Sequence, residues 1–346
     1  VPPSVLETMK DLVHDRLPRK IDDLDAYLTN NEIVRTRCEG VGVLTPEQVD
    51  QWQPEQGLLW LHLDYTDEQV QQWLEQESGL EPVVAEALTA TETRPRCTPF
   101  NNGLLLLLRG INLNPEADPD DMVSIRLWVE KNRIISTRKR QLQSIQDLLT
   151  QIRNHQAPAS TGEFIADLTD NLTWRMRETM EGYEETLADL EERVLTGGHD
   201  EVKTELSALR RQIITLRRYL TPQRDALIRL HTEKFSGLSE SERLQIRETT
   251  DRLIRYLEDL DAMRERAVVI QEELLSQLSE LGNQRVYLLS MITAVFLPLG
   301  FLTGLLGINV GGMPGTDNPE AFWWVSGGLF STAIVLALLL RRKKWL

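Results

Sequence analysis

Cysteine and histidine are almost missing from this chain, and the few present are scattered. The two cysteines, Cys38 and Cys97, and the five histidines, His14, His62, His155, His199 and His231, form no CxxC or HExxH spacing. No tight tetrahedral metal site is therefore written in the sequence, and each histidine is expected to be a surface or packing residue. No P-loop, nucleophile elbow, Rossmann fingerprint or metal-hydrolase motif occurs, which sets enzymes aside. Positive charge is in deficit: 38 Lys and Arg face 53 Asp and Glu, a formal net charge of −15. That excludes nucleic acid or an anionic lipid surface as the main partner and suits attraction of cations. Val1 to Asn30 is charged and has no apolar segment of the signal-peptide kind. Both cysteines are expected to be small apolar core residues, not a disulfide.

Charge is also absent from two long runs near the C-terminal end. Val286 to Leu306 holds no charged residue and, at about 1.5 Å per residue, spans roughly 31 Å of helix. Trp323 to Leu340 is a second such run, followed at once by Arg341, Arg342, Lys343 and Lys344. Both are long enough to cross a bilayer, and the short external loop of about 307–322 forces a hairpin. Arg285 and the Arg341–Lys344 cluster flank the spans on one side, while the loop carries only Asp317 and Glu320. The positive-inside rule then places both termini in the cytoplasm. Trp323, Trp324 and Trp345 fall at interfacial depths. A mean hydropathy of −0.30 is too polar for a many-span carrier, so most of the chain is expected outside the bilayer.

The fold class expected is an α+β membrane protein: a cytoplasmic α/β domain over 1–160, long cytoplasmic helices over 161–282, and a two-helix transmembrane domain over 283–346. Leu58–Leu63, Gly103–Leu108, Ser124–Val129 and Arg133–Thr137 read as strands, with helices over Asp67–Glu77, Glu81–Ala90 and Gln141–Arg153. Long helices follow over Glu163–Leu195 and Glu201–Phe235. Acids crowd the first of these (Glu178, Glu181, Glu184, Glu185, Asp189, Glu191, Glu192), as a solvated face stabilised by Arg175, Arg177 and Arg193 and paired with Arg210, Arg211, Arg217 and Arg218, or as a surface that accumulates cations. After Gly237-Leu238-Ser239, Ser239 and Glu242 form a capping box. The helix they open runs unbroken toward Leu306, on the order of 100 Å, too long to bury itself in one copy.

That helix has distinct faces. Leu260, Ala267, Leu274, Leu281 and Leu288 repeat at heptad spacing, beside Leu253, Leu257, Ile270 and Leu278. Glu258, Glu265 and Glu272 repeat likewise on another face, with Glu280 beyond. Continued into the apolar run, this face offers Asn283, Val286, Ser290, Thr293, Leu297, Gly300 and Gly304. A symmetric bundle with it inward encloses a pore, nearly neutral within the bilayer and acidic below. The same pattern also serves tight helix packing through Gly300-xxx-Gly304, or a solvated coiled-coil flank in a membrane-anchored sensor or scaffold that transports nothing.

The stretch Phe296-Leu297-Pro298-Leu299-Gly300-Phe301-Leu302-Thr303-Gly304-Leu305-Leu306-Gly307-Ile308-Asn309, with Met313-Pro314-Gly315 and the terminal Lys343-Lys344-Trp345-Leu346, resembles the CorA superfamily of divalent metal transporters. Its hallmark is a Gly-Met-Asn triplet closing the first of two membrane helices. Here Ile308 stands in place of Met, which resembles the zinc-associated ZntB branch. Ser136-Thr137-Arg138, Glu92-Thr93-Arg94-Pro95-Arg96 and Tyr219-Leu220-Thr221-Pro222-Gln223-Arg224-Asp225 are similar to that branch too. The resemblance implies a homopentamer in a bacterial inner membrane, carrying Zn²⁺ through a pore lined by the first span, with a link to protons; a passive pore would import under a potential negative inside, and export would need a coupled driving ion. A magnesium or cobalt channel of the same superfamily is the alternative. It implies no bound cofactor and places Gly307, Ile308 and Asn309 as a selectivity filter. Asn309 would accept hydrogen bonds from the shell of a partly hydrated ion, although its chemistry alone serves equally to cap the C-terminal end of the span, and Gly307 would let the backbone turn. Such loose oxygen ligation would also pass Ni²⁺, Co²⁺ or Cd²⁺. Arg341 to Lys344 would form a basic collar. Neither span holds an Asp, Glu, His, Lys or Arg, so any pH response falls to Glu258, Glu265, Glu272 and Glu280.

Overall fold

The structure is a computed structural model. It describes residues 33–36, 42–43, 53, 57–308, 315 and 318–342, apart from 77, 116, 119, 155, 198–200 and 234. Val1 to Asn30, Cys38, His14, His155, His199, Asn309, Met313, Pro314, Asp317, Lys343, Lys344 and Trp345 lie outside the described residues. The chain divides into two compact units, Val1–Ile270 and Gln271–Leu346.

The first unit is built on a seven-stranded sheet. Its strands are β1 (Ile33–Thr36), β2 (Gly42–Val43), β3 (Leu58–Asp64), β4 (Arg96–Phe100), β5 (Gly103–Gly110), β6 (Val123–Val129) and β7 (Arg133–Arg138), in the order β2-β1-β3-β7-β6-β5-β4. Strands β4 to β7 form an antiparallel meander, whereas β3 joins β7 in parallel, from Leu59 opposite Arg133 to Asp64 opposite Arg138. A parallel neighbour needs a crossover, and the whole segment between β3 and β7 supplies it. Strand β3 is apolar on both faces except for the buried His62 and the terminal Asp64, not alternating, because both faces are covered. Leu59, Leu61 and Leu63 pack on α1 (Glu68–Gln76) and α2 (Pro82–Thr89), with Val70, Trp73, Leu74, Val84 and Leu88. On the other face the Trp60 and Phe164 rings meet edge to face at 4.8 Å.

Sequence patterning missed β4 and the β1–β2 pair. Pro99 interrupts β4, and it is tolerated there because β4 is the sheet edge. The helix expected over Glu163–Leu195 is two, α4 (Thr161–Trp174) and α5 (Met176–Leu195). They meet at Arg175, whose guanidinium grips Asp147 of α3 (Gln143–Arg153) at 2.5 and 2.6 Å. Ser160 caps α4 by accepting from the Glu163 amide. Helix α6 (Val202–Thr232) runs through Pro222.

Helix α7 covers Glu240–Leu306, 67 residues, without a break at Gly282. Its capping box is present: Ser239 Oγ accepts from the Glu242 amide at 3.4 Å, and Glu242 Oε2 accepts from the Ser239 amide at 2.5 Å. Glu242 Oε1 also accepts the Ser160 hydroxyl proton at 2.5 Å, joining the starts of α4 and α7. Leu253, Leu260, Ala267 and Leu274 are buried along one stripe, whereas Leu281 and Leu288 of the same heptad series are exposed. The acid–base pairing differs from expectation at Arg217. It reaches Asp261 of α7 at 2.7 Å instead of the acids of α5, which are served by Arg177 on Glu181, Arg193 on Asp189, and Arg266 on Glu191.

Candidate ion pathway

The second unit holds the C-terminal part of α7 and helix α8 (Ala321–Arg342). The most apolar 18-residue window of α7 has a mean hydropathy of 2.0, yet only 6% of it is buried. A helix that greasy with no protein cover requires lipid or further copies of itself. It is the one helix among the described residues long and apolar enough to cross a membrane by that measure, and Ala321–Leu336 is a shorter apolar helix.

Along α7, Asn283, Val286, Ser290, Thr293, Leu297, Gly300 and Gly304 are all exposed in the single chain. A methyl added at Gly300 or Gly304 meets nothing within 4 Å. The hydroxyls are not free donors. Ser290 Oγ donates to the Val286 carbonyl, Thr293 Oγ1 to Leu289, each at 2.8 Å, and Thr303 Oγ1 to Gly300 at 3.0 Å. Their protons are spent on the helix itself, so what they turn outward is oxygen lone pairs. Pro298, inside the helix, has no N–H for the Ala294 carbonyl and leaves a further oxygen without its intrahelical partner. Sequence reasoning quoted Pro298 but assigned it no part in the pathway.

Gly307 ends the helix, its amide donating to Thr303 at 2.9 Å and Gly304 at 3.2 Å. Gly307 has no positive φ, whereas Gly315 in the loop has φ 91. Ile308 is 48% exposed. Glu258, Glu265, Glu272 and Glu280 are exposed and share no carboxylate or histidine cluster able to hold a metal among the described residues. Helix α8 carries the aromatic end expected of it, with Trp323 and Trp324 each 74% exposed, and ends at Arg342. Of the expected basic collar, Arg342 is exposed.

Two histidines fall among the described residues, and neither is placed to bind a metal. His62 is buried on the sheet, and His231 sits near Arg247 and Arg243, partial burial lowering its pKa first and those charges next.

The family described as CorA-like Mg²⁺ transporter protein matches residues 55–342. The chain belongs to the CorA-like family. The zinc transport protein ZntB of Yersinia pseudotuberculosis serotype O:1b (strain IP 31758) is 35% identical over 323 residues, covering 93% of this chain and 98% of the relative. The divalent cation transporter CmaX of Pseudomonas aeruginosa PAO1 is 39% identical, over 85% of this chain and 89% of that one. The solved structure of a full-length CmaX protein superposes with a TM-score of 0.76 at 36% identity, over 91% and 97% of the two chains. This is a CorA-like fold: a sheet domain, a long helix, and an apolar C-terminal unit. The CorA-like chain is thus a divalent cation transporter and a membrane protein, not an enzyme.

Proposed function

We propose that the protein takes up zinc across the bacterial inner membrane as a homopentamer, through a pore lined by the apolar half of α7. The observation that carries this is the bare, apolar helix with one face, from Asn283 through Gly304, on which Gly, Ser, Thr and Asn are joined only by Val286 and Leu297. Five copies around an axis would cover that helix and leave this face on the centre line. The ion is proposed from the relatives, since the ZntB and CmaX proteins are named for zinc and divalent cation transport. In this reading 1–160 is the cytoplasmic sheet domain, 161–282 the funnel helices, and 283–346 a two-span pore domain with both termini cytoplasmic. Gly307, Ile308 and Asn309 form the filter at the outer mouth, and Arg341, Arg342, Lys343 and Lys344 the inner collar.

A wall of oxygen lone pairs suits an ion that keeps much of its water, because those acceptors bind the hydration shell and not the bare cation. The same looseness admits Ni²⁺, Co²⁺ and Cd²⁺ beside Zn²⁺. A membrane potential of 100 mV, negative inside, favours entry of a divalent ion by about 4.6 kcal/mol, so the default direction is inward. Proton linkage is assigned to the exposed ring of Glu258, Glu265, Glu272 and Glu280. Liposomes holding the purified protein and a zinc-sensitive dye test the reading. Zinc-dependent signal that Asn309→Ala abolishes supports it; no signal in wild type, with the protein inserted, refutes it in favour of a scaffold.

A further inference from the structure

Two sequence motifs far apart in the chain, Glu92-Thr93-Arg94 and Tyr219 with its preceding Arg218, have no part in the ion pathway. The fold brings them together around a cavity of about 480 Å³, lined by Glu92, Thr93, Arg94, Arg109, Arg218 and Tyr219. It lies at the C-terminal end of β5, between the residues after α2 and the middle of α6. Arg109 is its fixed element. The Arg109 guanidinium donates to the Thr93 carbonyl at 3.0 and 3.3 Å and to the Met122 carbonyl at 3.0 Å, and lies 4.1 Å over the Tyr219 ring. Its backbone amide donates to Gln223 Oε1 at 2.7 Å. Arg218 stands 4.7 Å over the same ring and donates to the Tyr219 hydroxyl at 2.7 Å. Arg94 is exposed.

These partners are carbonyls, a phenol and a ring, all neutral. Among the described residues none of Arg94, Arg109 and Arg218 is ion-paired. The lining offers one carboxylate, Glu92, which is exposed. Asp121 is close enough to be felt by Arg109 but is held in a two-bond grip by Arg140, at 2.5 and 3.1 Å. A further guanidinium lies on the same face of the sheet. Arg126 opposes Leu107 as Arg109 opposes Ser124, is 1% exposed, and has Nε and Nη1 without partners among the described residues. Burial lowers the pKa of both Arg109 and Arg126, the sign that their charge is incompletely compensated. In a chain of net charge −15, Arg94, Arg109 and Arg218 are a local excess of positive charge lining an open cavity, whereas Arg126 is buried outside that lining, against Tyr65 and the Ala90 carbonyl.

The geometry points to a binding site for a phosphoryl oxyanion, either free or carried on a small soluble molecule, with Arg94, Arg109 and Arg218 as its ligands. Guanidinium forks match phosphoryl oxygens two at a time, which a single halide cannot exploit, and the cavity is larger than a monatomic anion needs. The site stands independently of the transport reading, since it lies wholly within the sheet-bearing unit.

The test is calorimetric titration of the full-length protein, in detergent and in metal-free buffer at fixed KCl. The probes are inorganic phosphate, inorganic pyrophosphate, ADP and extra chloride. Saturable binding of at least one phosphoryl probe is expected, weakening as KCl rises. The Arg94→Gln/Arg218→Gln double variant, altering two exposed side chains, is expected to bind at least fivefold more weakly with unchanged Tm. ADP tighter than pyrophosphate identifies a carried phosphoryl group, and the reverse a free one; either supports the site. Absence of binding by all three phosphoryl probes, a smaller loss in the double variant, or a loss of binding on adding KCl that potassium gluconate of equal ionic strength does not reproduce overturns it.

Discussion

Acid should weaken the sheet domain through a single imidazole. His62 is 2% exposed, and burial first, then the Arg138 charge, push its pKa down to about 3. The hydrogen bonds explain why. Ser136 Oγ accepts from Trp60 Nε1 at 2.7 Å, donates to the Leu61 carbonyl at 3.2 Å, and lies 2.7 Å from His62 Nδ1. With the hydroxyl proton on Leu61, Nδ1–H is the donor, a tautomer assigned from the network. Nε2 then keeps its lone pair and has no partner among the described residues. Protonating it would bury a second N–H with nothing to accept it. Between about pH 3 and 6.5 the unfolded chain therefore holds a proton that the folded one refuses. Stability rises with pH across that window and falls as pH drops below about 6.5, by about 1.4 kcal/mol per unit. At pH 5 the loss is about 2 kcal/mol relative to pH 7.5, or about 4–8 °C in Tm for a domain of this size. His62→Asn keeps a donor toward Ser136 and removes the titration. Thermal unfolding followed by tryptophan fluorescence at pH 7.5 and 5 should show a smaller acid-induced drop in the variant, by that amount. An equal drop in both proteins would refute the reasoning.

Gly162→Ala should destabilise the protein by about 2 kcal/mol or more, because the new Cβ would lie 2.1 Å from Glu242 Oε2 and 2.5 Å from the Gly237 carbonyl oxygen; a Tm within a degree of wild type contradicts this. Leu260→Ala, at a site 0% exposed on α7, should cost about 2–5 kcal/mol, read as a fall in the denaturant midpoint. The Cys97 thiol is 3% exposed and burial raises its pKa to about 12, so in a Cys38→Ser background it should resist iodoacetamide at pH 8 until the protein is unfolded, as mass spectrometry of the alkylated peptide would report. Replacing Glu258, Glu265, Glu272 and Glu280 together by Gln should flatten the pH dependence of zinc uptake in liposomes; an unchanged profile removes these residues from any role in it.

Much of this fold is legible in the sequence wherever one physical signal dominates. Strand β3, with only His62 breaking its apolar run before Asp64, and the middle of β5 are dominated by apolar residues, and the 67-residue helix follows from the lack of any breaker that a helix cannot absorb. Its capping box is a four-residue pattern and is found as written. What stays hidden depends on tertiary context. Strand β4 carries a proline that only an edge position permits, and the break at Arg175 answers an aspartate on another helix. The heptad of leucines was legible but not its end: Leu274 is buried and Leu281 is exposed, a change that depends on what surrounds the helix. For the pathway, the residue types on one face were readable. That Ser290 and Thr293 keep their protons on their own helix was not, since spacing gives a hydroxyl's position and not its bonding.

One carboxylate stands at a mechanical junction. Glu242 occupies both of its oxygens at once, with the Ser160 hydroxyl on one and the Ser239 amide on the other, while Gly162 leaves room for nothing larger against it. Turning the long helix about its first turn would have to break one of those bonds or drag α4 along. A twist applied there would be felt by the helix lying against Trp60, which ties the first turn of the long helix to the layer covering the sheet.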